Sequence, residues 1–300
     1  MNLLAAEISA SDRAVVRKLL HLLRRTVVKL HDPPISYRLG RVDILIPLSH
    51  DLPINRAYFP KYSANLGVAA AGISRVRNLD RPLRVIDIGA NVGDSVAIIE
   101  SHTATEALCV EGDPVYLPYL AWNASAFRSV AIENCYIASA DVELATTSVN
   151  RGAGTARLVT ESTAAESIPV RTITQILQDH VQFADADLVK IDTDGHDVGI
   201  IRSMSPWLNA AHPVVFFEFD PRLTEEVSGH DAAAIFHELE ELGYPEVAVY
   251  DNLGAMVGRF ASGDPSLLEM SSTLGNPGQP PYWDVVAVSS VDRGVLDTLR

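Results

Sequence analysis

The chain has 300 residues, 24 basic and 38 acidic, a formal charge of −14, and 47% of its residues are hydrophobic. That composition excludes the disordered and fibrous classes, and a chain this long buries roughly three quarters of its unfolded surface without a disulfide or metal staple. Two cysteines in apolar runs, Cys109 and Cys135, make no secreted framework. No apolar run nears the roughly 20 residues of a membrane span, and no export signal is read, so the expectation is a soluble, cytoplasmic protein without a membrane span.

Ser11 is expected to cap a helix running to about Leu30, with Val15, Leu19, Leu22, Leu23 and Val27 at helical spacing. Residues 1–30 hold six basic and two acidic side chains, a net of +4, leaving −18 for the rest. The acidic bulk repels polyanions, so no nucleic-acid partner is expected. The helix is read as packing on the domain or on a second copy in a homo-oligomer. Docking to a membrane surface or an acidic partner is the alternative, since its polar face is almost wholly basic.

The segment 31–36 breaks the helix, 37–47 reads as a hairpin, and 49–67 reads as an ordered loop feeding a helix over about 63–76. From Arg84 strands alternate with helices: strands at 84–89, 106–112, 129–137, 187–192 and 213–219, and helices at 92–102, 114–127, 172–181, 195–208 and 231–242. Residues 138–171 read as hairpin material turning at 151–154. Strands near 245–251, 254–260 and 282–289, with a helix near 265–270, close the chain. Strands apolar along their whole length indicate an α/β fold with a mostly parallel sheet covered on both faces. The expected division is an N-terminal extension over 1–80 and a sheet domain over 81–300.

The chemistry concentrates at strand ends. Asp87-Ile88-Gly89-Ala90-Asn91-Val92-Gly93-Asp94 is a glycine turn between a strand and a helix, and such a turn lets a ligand approach the backbone. Glu111, with Gly112 and Asp113 behind it, ends the next strand 22 residues after Gly89, where a carboxylate accepts ribose hydroxyls. The dinucleotide fingerprint G-x-G-x-x-G is absent, and Asp87 would repel a pyrophosphate but hold an amino group. S-adenosylmethionine, with an amino-acid end, a ribose and no phosphate, fits better than a nicotinamide cofactor.

The next cluster, Lys190-Ile191-Asp192-Thr193-Asp194-Gly195-His196-Asp197, ends a buried strand and opens a helix at the edge where open α/β sheets bind ligands. Asp192, Asp194 and His196 are the candidate base and positioning groups, with Glu218 ending the neighbouring strand. The carboxylates of Asp192, Asp194, Asp197 and Glu218 are alternatively read as ligands of a hard cation. His50, Tyr58, Tyr62 and Trp283 are the candidate wall of an acceptor pocket.

VIDIGANVGDS (85–95), VEGDP (110–114), LAWN (120–123), VRTITQIL (170–177), LVKIDTDGHD (188–197) and VVFFEF (214–219) together resemble the FkbM-type S-adenosylmethionine-dependent methyltransferases over about residues 83–220. The resemblance implies a seven-stranded Rossmann-like sheet with an antiparallel last strand. It also implies O-methylation of a hydroxyl on a sugar, glycolipid or natural-product scaffold. Asp194 and His196 depart from the family's K-I-D-V-E-G-A-E. Methylation of nitrogen or of a carboxylate, and a non-catalytic cofactor-binding partner protein, stay as alternatives.

Overall fold

In the computed structural model, which describes residues 14–139, 148–152, 155–159, 168–229 and 231–299, the basic helix is α1 (Ala14–Leu30). Ser11, expected as its cap, and residues 153–154 of the expected turn lie outside the described residues. A hairpin of β1 (Pro34–Leu39) and β2 (Val42–Pro47) follows. The 49–67 stretch is not loop throughout. It contains α2 (Leu52–Tyr58), with Pro53 in the first turn, where a missing N–H costs nothing. Next comes α3 (Ala64–Val76).

The alternating region opens with β3 (Leu83–Ile88), α4 (Asp94–Glu100), β4 (Thr105–Val110), α5 (Leu117–Asn123) and β5 (Val130–Glu133). The strand expected over 129–137 is two: the chain leaves the main sheet after Glu133 and forms β6 (Tyr136–Ile137). A hairpin of β7 (Ser148–Gly152) and β8 (Thr155–Val159) precedes β9 (Val170–Arg171), the parallel partner of β6. Helix α6 (Ile173–Asp179) starts at a capping box between Thr172 and Gln175, and β10 (Leu188–Ile191) follows.

The helix expected over 195–208 is also two, α7 (Asp197–Ser203) and α8 (Ser205–Ala211), because Pro206 has no N–H to continue the first. After β11 (Val214–Phe219) comes α9 (Pro221–Ser228), capped by the Asp220 carboxylate. The chain closes with α10 (Ala234–Glu241), β12 (Glu246–Asp251), β13 (Met256–Ala261), α11 (Pro265–Ser271), β14 (Trp283–Val288) and α12 (Arg293–Leu296).

The main sheet has eight strands in the order β13-β12-β14-β11-β10-β3-β4-β5. Strands β5, β4, β3, β10 and β11 pair in parallel, and β14 inserts antiparallel between β11 and β12. This is the expected architecture plus one strand. The added strand, β13, hairpins onto the outer side of β12, and its alternating half-exposed pattern suits a sheet edge.

Leu83 and Val85 on β3 face one apolar cluster with Ile73, Val96 and Leu296, while Ile86 and Ile88 face the other with Ile176, Ile200 and Phe236. Ile35, Ile44, Leu52 and Leu66 belong to the first cluster, so the N-terminal elements share its core. Chain reversals put the ends of β3, β4, β10 and β11 and the start of β14 at one edge. No helix among the described residues is long and apolar enough to cross a membrane.

Candidate active site

Two cavities open at that edge. The smaller, about 100 Å³, is lined by Ile88, Val110, Glu111, Tyr136, Ile137 and His196 among others, and the larger, about 480 Å³, runs between the strand ends and residues 50–66. Gly89, Asn91, Asp192 and Asp194 line both, so the two spaces meet over the loops after β3 and β10.

These loops touch through backbone, which explains the glycine. Gly89 sits at φ +73, and a Cβ there would run into the Asp192 carbonyl. The Gly89 and Ala90 amides donate to the Val110 carbonyl at 3.0 and 3.2 Å, fixing the turn against β4. Asn91 adopts φ +50, which asparagine tolerates, and Gly93 at φ +84 opens α4. Ala90 and Gly93 therefore shape the turn and line neither cavity, while Asp94 lines the larger one.

Glu111 is oriented before any ligand arrives. Its two carboxylate oxygens accept the amides of Asn91 at 2.7 Å and Asp113 at 2.6 Å. Burial raises its pKa, and those two hydrogen bonds oppose the shift. Asp113 in turn accepts the Val115 amide at 2.8 Å, and Gly112 lets the Tyr136 ring approach the backbone.

Asp87, expected to hold an amino group, is fully buried and lines neither cavity. It precedes the strand end by one residue, in register with Lys190 on β10. That lysine places Nζ 3.3 Å from the Asp87 carboxylate. Lys190 also donates to the Gly89 carbonyl at 3.0 Å and lies 3.4 Å from Asp192. Burial works against the lysine's charge, but Asp192 and Asp87 outweigh it and hold its pKa above the ordinary value. Asp87 thus acts on the site through Lys190.

The 192–197 cluster divides. Asp192 is half exposed and faces both cavities. Asp194, at φ +53, forms the turn with Gly195 and also reaches both. His196 lines only the smaller cavity. Asp197 is buried and accepts the Thr193 and Gly195 amides, both at 3.2 Å, so it holds the turn. Burial, reinforced by Asp192, pushes its pKa up to about 7. The four carboxylates read as cation ligands form no metal-holding group; none was found among the described residues.

In the larger cavity Glu218 faces Asp284 across the β11–β14 pair. Burial, then Asp192, Asp197 and Asp284, hold the Glu218 pKa well above the carboxylate range. Burial also pushes Asp284 up to about 7, against a 2.8 Å hydrogen bond from Asn65 on α3. His50 and Tyr62 line this cavity, and burial moves the Tyr62 phenol up to about 12. Tyr58 lines neither cavity and lies beside Phe59, with ring centroids 6.4 Å apart. Trp283 is core: it stacks on Phe219 at 6.1 Å and is 2% exposed. Its neighbour Tyr282 takes the cavity position, because side chains alternate at the start of a strand. Lys190, Asp284, Tyr282 and Asn65 were missed by sequence reasoning.

The smaller cavity suits an adenosine-bearing ligand. Apolar and aromatic side chains such as Ile88, Val110, Tyr136 and Ile137 line one part of it, Glu111 is pre-oriented, and Asn91 Oδ1 and Thr193 Oγ1 are buried there without a hydrogen-bond partner. This fold and site define a Rossmann-like, S-adenosylmethionine-dependent methyltransferase. Residues 87–245 match the family described as Methyltransferase FkbM domain, and the chain belongs to that family. A search of curated proteins finds no match.

Solved structures similar to the chain include a precorrin-6y C5,15-methyltransferase from Geobacter metallireducens, at 16% identity and TM-score 0.37, covering 74% of this chain and 87% of that one. A methyltransferase FkbM from Methylobacillus flagellatus shows 16% identity and TM-score 0.34 over 50% of this chain and 37% of its own length. The METTL16 MTase domain shows 11% identity and TM-score 0.43 over 89% and 77%.

Proposed function

We propose that the chain transfers the methyl group of S-adenosylmethionine to a hydroxyl of an uncharged acceptor, a sugar, glycolipid or natural-product scaffold. The observation that carries this reading is the lining of the larger cavity. Asp94, Asp192, Asp194, Glu218 and Asp284 share it with Lys190, the one lysine or arginine among its described lining residues. That lysine is already balanced by Asp87 and Asp192. A carboxylate or phosphate acceptor would enter a negative field, which weighs against carboxylate methylation. The same field suits a cationic amine, so N-methylation is the second reading.

When bound, the cofactor supplies an electrophilic sulfonium methyl, and in-line attack asks the protein mainly for alignment and a proton sink. Glu111, Asn91 and Thr193 hold the nucleoside portion in this reading. Asp192 and Asp194, at the junction of the cavities, position the reacting oxygen. The proton passes to the Glu218–Asp284 pair rather than to His196. Burial and the neighbouring carboxylates hold the Glu218 pKa well above the carboxylate range, and Asp284 is the member whose pKa of about 7 matches a working base. Residues 1–80 act as an extension that walls the acceptor space, and 81–300 act as the transferase domain.

An acceptor screen with labelled methyl donor tests the reading. Label should enter neutral polyols or their glycosides, and transfer confined to carboxylic acids would contradict it. The wall has its own expected result. Cofactor together with an accepted hydroxyl compound should slow proteolysis within 49–67, and Tyr62→Ala should raise KM for the acceptor more than it lowers kcat. Equal cleavage with and without ligands, and unchanged kinetics in Tyr62→Ala, would remove the wall from the reaction.

A further inference from the structure

Helix α1 presents two different faces. Val27 and Val28 pack against the core that includes the hairpin, and Arg24 fastens the helix to the next segment. Its guanidinium donates to the carbonyls of Leu48 at 2.9 Å, Ser49 at 2.6 Å and His50 at 3.3 Å, and it pairs with Asp51 at 2.7 Å. His50 and Asp51 line the larger cavity, so the helix is fixed to the wall of the acceptor space.

The outer face is leucine. Leu19, Leu22, Leu23 and Leu30 are 64%, 61%, 49% and 82% exposed. At 100° per residue they fall with Thr26 in one stripe about a third of the circumference wide. Arg25 and Lys29, both exposed, lie along one border of that stripe. Bare leucines beside basic residues on a helix too short and too charged to span form the pattern of a helix lying in a bilayer interface.

We propose that α1 seats the protein on an anionic lipid surface, with the leucine stripe among the acyl chains and Arg25 and Lys29 against the headgroups. Two properties favour lipid over a second copy. Four leucines fall well short of the roughly 20–30 residues a side of a stable interface. An antiparallel twofold pairing of α1 with itself would also bring like-charged borders together. A bilayer supplies the complementary charge and needs no shape match. The acidic remainder of the chain, at −18, is pushed away from such a surface, which leaves α1 as the contact and makes the attachment weak and salt-sensitive.

Co-sedimentation of the full chain with phosphatidylcholine vesicles and with mixed phosphatidylcholine–phosphatidylglycerol vesicles, at low and high salt, tests this. The bound fraction is expected to be several-fold higher on the mixed vesicles at low salt. It should fall toward background in Leu22→Ser/Leu23→Ser and in the charge reversal Arg25→Glu/Lys29→Glu. The reversal changes only exposed side chains, so its loss of binding cannot be ascribed to unfolding, and circular dichroism checks the leucine variant. Failure of the wild-type chain to sediment with mixed vesicles, or binding that survives both variants, would overturn the proposal. So would a wild-type dimer in sedimentation equilibrium that Leu22→Ser/Leu23→Ser makes monomeric, which would assign the stripe to a second copy.

Discussion

Asp284→Asn is expected to lower kcat by roughly 10²–10⁴-fold, the usual cost of losing a general base. The substitution is nearly isosteric and keeps an oxygen for the Asn65 amide, which now reaches the carboxylate at 2.8 Å. In the wild type the rate should climb with pH and level off above about 7, where the Asp284 carboxyl ionises. The variant should lose that limb.

Stability should move the other way. A carboxyl whose folded pKa is about 7 rather than 3.8 binds its proton more tightly in the folded state. Its contribution is therefore fully present below the unfolded pKa and is lost as pH rises through about 7. Asp284→Asn should accordingly be more stable than wild type at pH 8, by roughly 1–3 kcal/mol, with little difference near pH 4. A variant that kept full turnover would hand the proton to another group. Comparison with Glu218→Gln and His196→Ala then identifies which.

Lys190→Met should be the most destabilising single change at the site, by about 3–5 kcal/mol in urea unfolding. It leaves Asp87 at 0% exposure without its counter-charge and removes the bond to the Gly89 carbonyl. The double variant Asp87→Asn/Lys190→Met should recover a large part of that loss, since the buried charge goes with its partner. A loss within about 1 kcal/mol for Lys190→Met alone would mean that water or a rearranged loop satisfies Asp87 instead.

Much of this is legible in the sequence. Buried strands announced themselves as apolar runs, and the glycine turn at 89–93, Glu111 and the 192–197 edge follow from where such strands must end. Other parts depend on pairing that one sequence does not display. Asp87 and Lys190 are each a lone charge within an apolar strand, a signal that the two belong together, but only the β3–β10 register makes them neighbours. Asp284 and Tyr282 reach the site because β14 runs antiparallel, so its beginning lies beside the ends of the others. The same alternation sends Trp283 into the core. Helix α2 lies in a stretch that reads as loop, because its Pro53 falls in a first turn, where proline is tolerated. Asp197 and His196 are adjacent on one turn yet serve different ends, holding the loop and lining the smaller cavity.

Calorimetric titration of S-adenosylhomocysteine into wild type and Glu111→Ala tests most directly whether the smaller cavity holds the nucleoside of the methyl donor against Glu111. Wild type should bind one equivalent. Glu111→Ala, which removes a charged acceptor from the ligand and frees the Asn91 and Asp113 amides, should bind more weakly by about 1–3 kcal/mol. Unfolding midpoints measured alongside would separate loss of affinity from loss of fold. Equal affinity in the two proteins, or no binding by a folded wild type, would contradict the assignment.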